Sequence, residues 1–225
     1  ARWGIGPQRT FAATQYTLLM LFGGVALLAA IALLALNHAQ AHQGQLSFSL
    51  PELLATPIDP VLQQCLLVLL LLAFAVKAPL PPFHQWLPTV ALQAPPVLTA
   101  LLMGMKLGLY GLLRLLLPLL PDAVLAYRGP LAVWGVVTLL YAALLALRQN
   151  NLRSLLAYAS VSHVGLVVLA LLSLNLQGWQ GASMQLLNFT WVASALMLMA
   201  GMLEQRFGSN EWLHLGGLAR VMPRF

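Results

Sequence analysis

Two lysines, Lys77 and Lys106, lie in stretches of the sequence that are otherwise almost entirely apolar. Lys106 is at position 11 of the 22-residue stretch 96–117, and Lys77 follows 16 uncharged residues. A lysine at the centre of a membrane helix costs about 2.5–3.5 kcal/mol on insertion scales, so it is expected to face the protein interior or water. Burial also disfavours the charged form, which brings proton release within reach of neutral pH. The two lysines therefore predict that the protein moves charge across a membrane.

Each lysine also has a purely structural interpretation. A lysine in a membrane helix can extend its side chain to the interface, although the central position of Lys106 makes that difficult. Lys77 could end a short helix at the membrane surface and anchor it there. For Lys77 the residues alone leave both interpretations open.

Three prolines, Pro79, Pro81 and Pro82, follow Lys77 closely. Proline removes a backbone donor and clashes with the preceding turn, so these residues predict a helix that breaks at 77–82. Broken helices within membranes are tolerated where they line a cavity or a polar pathway. The break therefore favours the functional interpretation of Lys77.

Two histidines are candidates for moving protons. His163 lies inside an apolar stretch next to Ser160 and Ser162, and a histidine with hydroxyl neighbours can relay protons near neutral pH. The alternative is a histidine that is satisfied by hydrogen bonds between helices. His84 is a second possible relay, although the nearby Trp86 could instead mark the membrane interface.

A possible polar stripe continues from Lys106. Tyr110 and Arg114 follow it at i+4 and i+8, on one face of a regular helix. They could lead from the bilayer centre to one surface, with Tyr110 as a further relay, or they could be ordinary interface anchors. The sequence leaves these two readings equal.

Cofactor motifs are missing from the sequence. No spacing of histidine, cysteine or acidic residues resembles a zinc, haem or iron–sulfur site, and there is no glycine-rich phosphate loop. The single cysteine, Cys65, lies in an apolar stretch and cannot form an internal disulfide. The sequence predicts that this chain itself binds neither a cofactor nor a metal.

The composition identifies the environment in which these residues must be placed. Hydrophobic residues make up 60% of the 225 and charged residues 7%, compared with roughly 25% charged in a soluble domain. This excludes a soluble globular enzyme. The net charge of +6 does not indicate a nucleic-acid partner, because the basic residues are scattered singly at the ends of apolar segments.

Six apolar stretches are long enough to be membrane helices. We therefore predict an all-α polytopic membrane helix bundle with one helix broken at 77–82, forming a single transmembrane domain over 1–225. The expected spans are 16–36, 61–87, 96–117, 130–147, 152–174 and 182–203.

The arginines predict the orientation of the chain. With six crossings, seven arginines fall on one side and two on the other, which places both termini on the cytoplasmic, matrix or stromal side. The seven are Arg2, Arg9, Arg148, Arg153, Arg206, Arg220 and Arg224, and the two are Arg128 and Arg114.

Four motifs together resemble the antiporter-like, proton-conducting membrane subunits of respiratory complex I, NADH:quinone oxidoreductase, and its M-type members most of all. They follow in the family's order and spacing, and the resemblance covers nearly the whole chain. The motifs are AVKAPLPPFHQWLP at 75–88, QAP at 93–95, MKLGLYGLLR at 105–114 and LAYASVSHVG at 156–165.

The resemblance implies a role for each candidate residue. Lys77 matches the lysine of the family's broken helix, Lys106 the lysine of the next helix, and His163 a histidine on the hydrated axis that links the subunits. Protons would move between the lysines through internal water, with the charge of each lysine set by its neighbours.

The resemblance also implies partners and a location. The partners are the lipid bilayer and other membrane-arm subunits of a large complex. The location is an energy-transducing membrane, which is the bacterial inner, mitochondrial inner or thylakoid membrane. NADH, flavin, iron–sulfur clusters and quinone would be bound by the partner subunits.

This sequence departs from the family pattern at three points. The family's subunits have many more helices, so the chain matches their middle part, and the glutamate partner of Lys77 would lie upstream of Ala1. Phe189 stands where the family has a second axial histidine, and phenylalanine cannot carry a proton. Thr89 and Ala91 replace an acidic residue and a histidine.

Three functions remain open at this stage. The first is a proton-translocating subunit of a complex I-type machine, which Lys77 and Lys106 favour. The second is a structural spacer in such a machine, which Phe189 favours. The third is a subunit of a multi-subunit cation/proton antiporter or membrane-bound hydrogenase, whose subunits share these motifs.

Overall fold

The structure, a computed structural model, describes residues 2–216. Within them, six helical segments are long and apolar enough to cross a membrane, which confirms the predicted fold class. The segments are Arg9–Ala41, Pro60–Lys77, Pro96–Leu119, Arg128–Leu147, Leu152–Leu172 and Leu176–Phe207.

One of these segments, Pro96–Leu119, is built from shorter helices, and short helices also connect the spans. The helices in chain order are α1 (Arg9–Ala41), α2 (Leu50–Ala55), α3 (Pro60–Lys77), α4 (Trp86–Gln93), α5 (Pro96–Gly104), α6 (Leu107–Gly111), α7 (Leu117–Leu119), α8 (Pro121–Ala126), α9 (Arg128–Leu147), α10 (Leu152–Leu172) and α11 (Leu176–Phe207).

The first and last spans extend beyond their apolar stretches. Helix α1 has 33 residues and α11 has 32, because polar residues continue each helix past the point where the apolar run ends. The last span begins at Leu176 and not at the expected residue 182. The Asn175 side chain accepts a hydrogen bond from the Gly178 amide at 2.6 Å, which caps α11 and starts it before the glycines.

The predicted break after Lys77 is confirmed, since α3 ends at that residue and α4 begins at Trp86. Pro79 has no N–H, so the Ala75 carbonyl accepts the Leu80 amide instead, at 2.9 Å. The Val76 carbonyl then accepts the Trp86 indole N–H at 3.0 Å. The orphan carbonyls at this helix end are thus satisfied within the protein, as a membrane interior requires.

A second helix is also broken, which corrects the prediction that only one would be. The expected continuous span 96–117 is interrupted at Met105 and Lys106, and a π-helical turn follows at Leu112–Leu116. The carbonyl of Gly104, at the end of α5, lies 3.0 Å from the hydroxyl of Thr190 on α11. The same hydroxyl lies 2.7 Å from the Leu186 carbonyl one turn back on α11, so its one proton is shared between the two acceptors.

Apolar packing forms two separate clusters, and α10 contributes to both. Its residues up to Val161 belong to one cluster, with Trp86 and Met103, and its residues from Val164 onward belong to the other, with Phe74. Ser162 and His163 lie between these two parts of the helix. The fold therefore places a polar layer between two apolar ones, at the level of the helix breaks.

Candidate functional site

Both lysines of the chain lie at helix breaks. Lys77 is the last residue of α3, and Lys106 immediately precedes α6. The sequence contains no other lysine, whereas its nine arginines lie elsewhere. Lysine, the cation that loses its proton more readily, is confined to the two points where membrane helices are interrupted.

The two breaks touch each other. A Cβ added to Gly108 would lie 2.7 Å from the Cβ of Ala78 and 2.8 Å from the carbonyl oxygen of Phe74. Gly111, one turn later, lies against the Phe74 ring. Because both positions in α6 are glycine, this half-helix packs directly on the end of α3, next to Lys77.

The Lys106 ammonium points into the protein. Its Nζ donates a hydrogen bond to the Ser160 hydroxyl at 2.7 Å, and it lies over the Phe189 ring, 5.0 Å from the ring centroid. Lys106 and Ser160 are on different elements, 54 residues apart in sequence. Lys77 is half-buried, and no hydrogen bond or ion pair joins its ammonium to another side chain in residues 2–216.

His163 lies one turn beyond Ser160 on α10 and joins the same group. The Gln185 amide donates to its Nδ1 at 2.8 Å, so the neutral ring carries its proton on Nε2. The ring stacks on Phe189, with 4.2 Å between centroids and an interplanar angle of 30°. The structure thus brings two of the predicted residues, Lys106 and His163, into contact with the same phenylalanine, Phe189.

A small cavity of about 10 Å³ lies at this point, space for about one water molecule. Its polar lining residues are Lys106, His163 and Gln185, and Phe189 forms part of its wall. Ammonium, amide and imidazole groups can all bond to a water in such a space.

The other possible relays are not part of this group. His84 is buried in a separate aromatic cluster, with its ring centroid 5.5 Å from that of Tyr141 and 6.3 Å from that of Tyr158. Its Nδ1 has no hydrogen-bond partner among the described residues. Tyr110 is 58% exposed and Arg114 is also exposed. The helix break and the π-helical turn change the helix register, so no polar stripe leads from Lys106 through these two residues.

A buried ion pair was not anticipated from the sequence. Arg153 is 1% exposed and donates to the Glu204 carboxylate at 3.0 Å. Its guanidinium also donates to the carbonyl of Ala94, at the end of α4. Arg153 therefore ties α4, α10 and α11 together rather than facing the membrane surface as a free charge. Two other arginines of the orientation count, Arg220 and Arg224, lie outside the described residues.

Neither lysine has a carboxylate partner within residues 2–216, where the ion pairs join Arg153 to Glu204 and His214 to Glu211. In the same part of the chain, no three histidine, cysteine or acidic side chains are grouped so that they could hold a metal ion. The polar groups that meet beside Lys106 are an ammonium, a hydroxyl, an amide and an imidazole.

These features define a class of protein: a polytopic membrane bundle with a lysine at each of two interrupted helices. The chain belongs to the NADH:quinone oxidoreductase/Mrp antiporter transmembrane family, whose model matches residues 1–225.

Curated relatives include subunits of NADH-quinone oxidoreductase, as the motifs suggested. Subunit M of Mycobacterium tuberculosis is 34% identical over 98% of this chain and 41% of its own length. NADH-ubiquinone oxidoreductase chain 4 of Triticum aestivum is 35% identical over 99% of this chain and 44% of its own length. The chain thus spans less than half the length of these relatives.

Solved structures show the same fold in large assemblies. A chain of respiratory complex I from Thermus thermophilus matches with a TM-score of 0.89 and 32% identity, over 98% of this chain and 46% of that one. A chain of the Mrp complex from Dietzia sp. matches with a TM-score of 0.82 and 28% identity, over 97% of this chain and 24% of that one. Both relatives function within multi-subunit membrane complexes.

Proposed function

We propose that this chain is part of a proton-translocating membrane-arm subunit of a complex I-type NADH (or ferredoxin):quinone oxidoreductase. The observation that carries the proposal is the position of its two lysines, each at the interruption of a membrane helix, with the two interruptions in contact. A cation inside a membrane span is costly, and Lys106 lies inside the span Pro96–Leu119 rather than at one of its ends.

In this proposal, Lys106 exchanges its proton with groups that already contact it. Ser160 accepts its hydrogen bond, and a water in the adjoining cavity connects it to His163. Lys77, at the neighbouring break, exchanges with Lys106 through water. Because like charges close together disfavour one another, the charge on either lysine influences whether the other holds a proton.

The chain takes no part in the redox reaction. NADH, flavin, iron–sulfur clusters and quinone would be bound by partner subunits, and the energy of their reaction would reach this chain through the charge state of its lysines. The subunit would lie in an energy-transducing membrane, with both termini of this segment on the cytoplasmic, matrix or stromal side.

The experiment that tests this function compares Lys77→Met and Lys106→Met in the intact complex reconstituted into vesicles. We expect each to lower the number of protons pumped per electron transferred, since methionine fills the space without carrying a proton. Arg114→Met is the matched control, because it removes an exposed cation close to Lys106. Unchanged stoichiometry in both lysine variants would rule the proposal out.

Two other functions have specific support. A non-pumping spacer is favoured by Phe189, an aromatic side chain without an exchangeable proton in contact with Lys106 and His163. A subunit of a cation/proton antiporter or membrane-bound hydrogenase is favoured by the structural match to the Mrp complex. Identifying the subunits that co-purify with the chain separates the antiporter and hydrogenase from the other two.

A further inference from the structure

We infer that Phe189 is a positioning residue for Lys106: its ring holds the ammonium beside Ser160 by a cation–π contact and fills the space that Lys106 shares with His163. This inference rests on the proposed function, because it assigns a role at the same lysine.

The first argument is the distance between the ammonium and the ring. At 5.0 Å from the ring centroid, Nζ is within the range of about 6 Å over which the negative face of an aromatic ring attracts a cation. Ser160 takes one of the three ammonium donors. Within residues 2–216 no carboxylate is paired with Lys106, so the ring face provides the electrostatic attraction that a counter-charge would otherwise provide.

The second argument is the contact on the histidine side. The Phe189 ring also stacks on the His163 imidazole, so a single side chain fixes the positions of both titratable groups. Phenylalanine can neither donate nor accept a proton. A proton that passes between Lys106 and His163 must therefore go around the ring, through the cavity of about 10 Å³ that the ring leaves.

The third argument is the scarcity of other charges around Lys106. On α11 the ionisable side chains are Glu204 and Arg206, which lie in its last turn, and Glu204 is paired with Arg153. The titratable or charged groups on the other elements packed around Lys106 are Cys65 and Lys77 on α3, Tyr110 and Arg114 on its own segment, and Arg153, Tyr158 and His163 on α10. None of these is an anion at neutral pH, so no carboxylate on these elements takes the place of the ring face as the partner of the Lys106 ammonium.

The test is an aromatic series at position 189 in the intact, reconstituted complex, with protons pumped per electron measured across a range of pH. Phe189→Leu keeps an apolar side chain but removes the ring face. Without it the ammonium is less stabilised, so the pH at which pumping falls to half should move down by roughly half to one unit. Phe189→Trp, which provides the stronger cation–π surface, should keep the half-point at or above that of the unmodified protein.

A purely structural role would not give this order, because leucine is closer to phenylalanine in volume than tryptophan is. Complex assembly and electron transfer are measured alongside, and variants that fail to assemble are replaced by Phe189→Met. Identical pH profiles for leucine, tryptophan and phenylalanine would overturn the inference. If Lys106→Met itself leaves pumping unchanged, the proposed function fails instead, so the two failures are distinguishable.

Discussion

Gly108 lies against Ala78, and this contact brings the two helix breaks together. A side chain at position 108 would overlap the Ala78 Cβ and the carbonyl oxygen of Phe74, at 2.7 and 2.8 Å. Ala78 directly follows Lys77, and Gly108 is two residues beyond Lys106. The close approach of the two lysine-bearing backbones therefore requires glycine at position 108.

Gly108→Ala should push the two breaks apart. The added methyl group has no free space, and overpacking of this kind costs about 1–3 kcal/mol. We expect a lower unfolding free energy in detergent and fewer protons pumped per electron. Gly24→Ala in α1 is the control, since nothing lies within 4 Å of its added Cβ, and there alanine should be neutral or slightly stabilising.

Thr190→Val should disturb the second break without changing the volume of the side chain. Valine cannot donate to the Gly104 carbonyl, and losing this part-buried, shared hydrogen bond should cost about 0.5–1.5 kcal/mol. We expect reduced stability and a displaced Lys106, measured as a loss of pumping stoichiometry. Thr190→Ser keeps the hydroxyl and should restore most of both. Equal behaviour of the valine and serine variants would mean that the hydroxyl does not hold the break.

Arg153 and Glu204 should be strongly coupled. Glu204→Gln leaves the buried guanidinium of Arg153 without its counter-charge, and since the Glu204 side chain is 34% exposed the cost should be about 1–3 kcal/mol, below that of a fully buried pair. Adding Arg153→Met to it should recover part of that loss, giving a coupling energy of about 1 kcal/mol or more in a double-mutant cycle of unfolding free energies. Additive effects of the two substitutions would show that the pair contributes little.

A carboxylate from outside residues 2–216 should lie near Lys77 in the complete assembly. A buried lysine without a counter-charge tends to be neutral, whereas one that switches its charge needs a partner that favours the ammonium. An experimental structure of the whole complex tests this by the distances from the Lys77 Nζ to every Asp and Glu oxygen. We expect one within about 6 Å, the range over which an opposite charge acts strongly. An ammonium surrounded only by apolar groups would contradict the prediction.

A helix break could be predicted from the sequence only where the residues that cause it are close to it in the chain. The break after Lys77 was predictable because proline carries its constraint covalently, in its missing N–H. The break at Lys106 was not, because no proline marks it and its hydrogen bond comes from Thr190, 86 residues away. The span 96–117 therefore looked like a continuous helix.

The same distinction applies to the candidate site. Lys106 and His163 could be selected by residue type and by their apolar surroundings, but the Phe189 ring contacts both from a third helix. Glu204 lies in the last turn of α11, and its partner Arg153 is 51 residues away on α10. Pairings of this kind follow from helix packing, which the apolar pattern of each span does not encode.

The donors at the two breaks also come late in the chain, and this has a consequence for biogenesis. The Pro81 carbonyl accepts the indole N–H of Trp134 at 2.8 Å, and the Gly104 carbonyl accepts from Thr190, so each break precedes a residue that bonds to it. A backbone carbonyl without a donor costs several kcal/mol in lipid. While the ribosome is still making α9 and α11, these two carbonyls therefore lack the side chains that later donate to them. A nascent chain released before position 190 would contain both lysines but only one completed break.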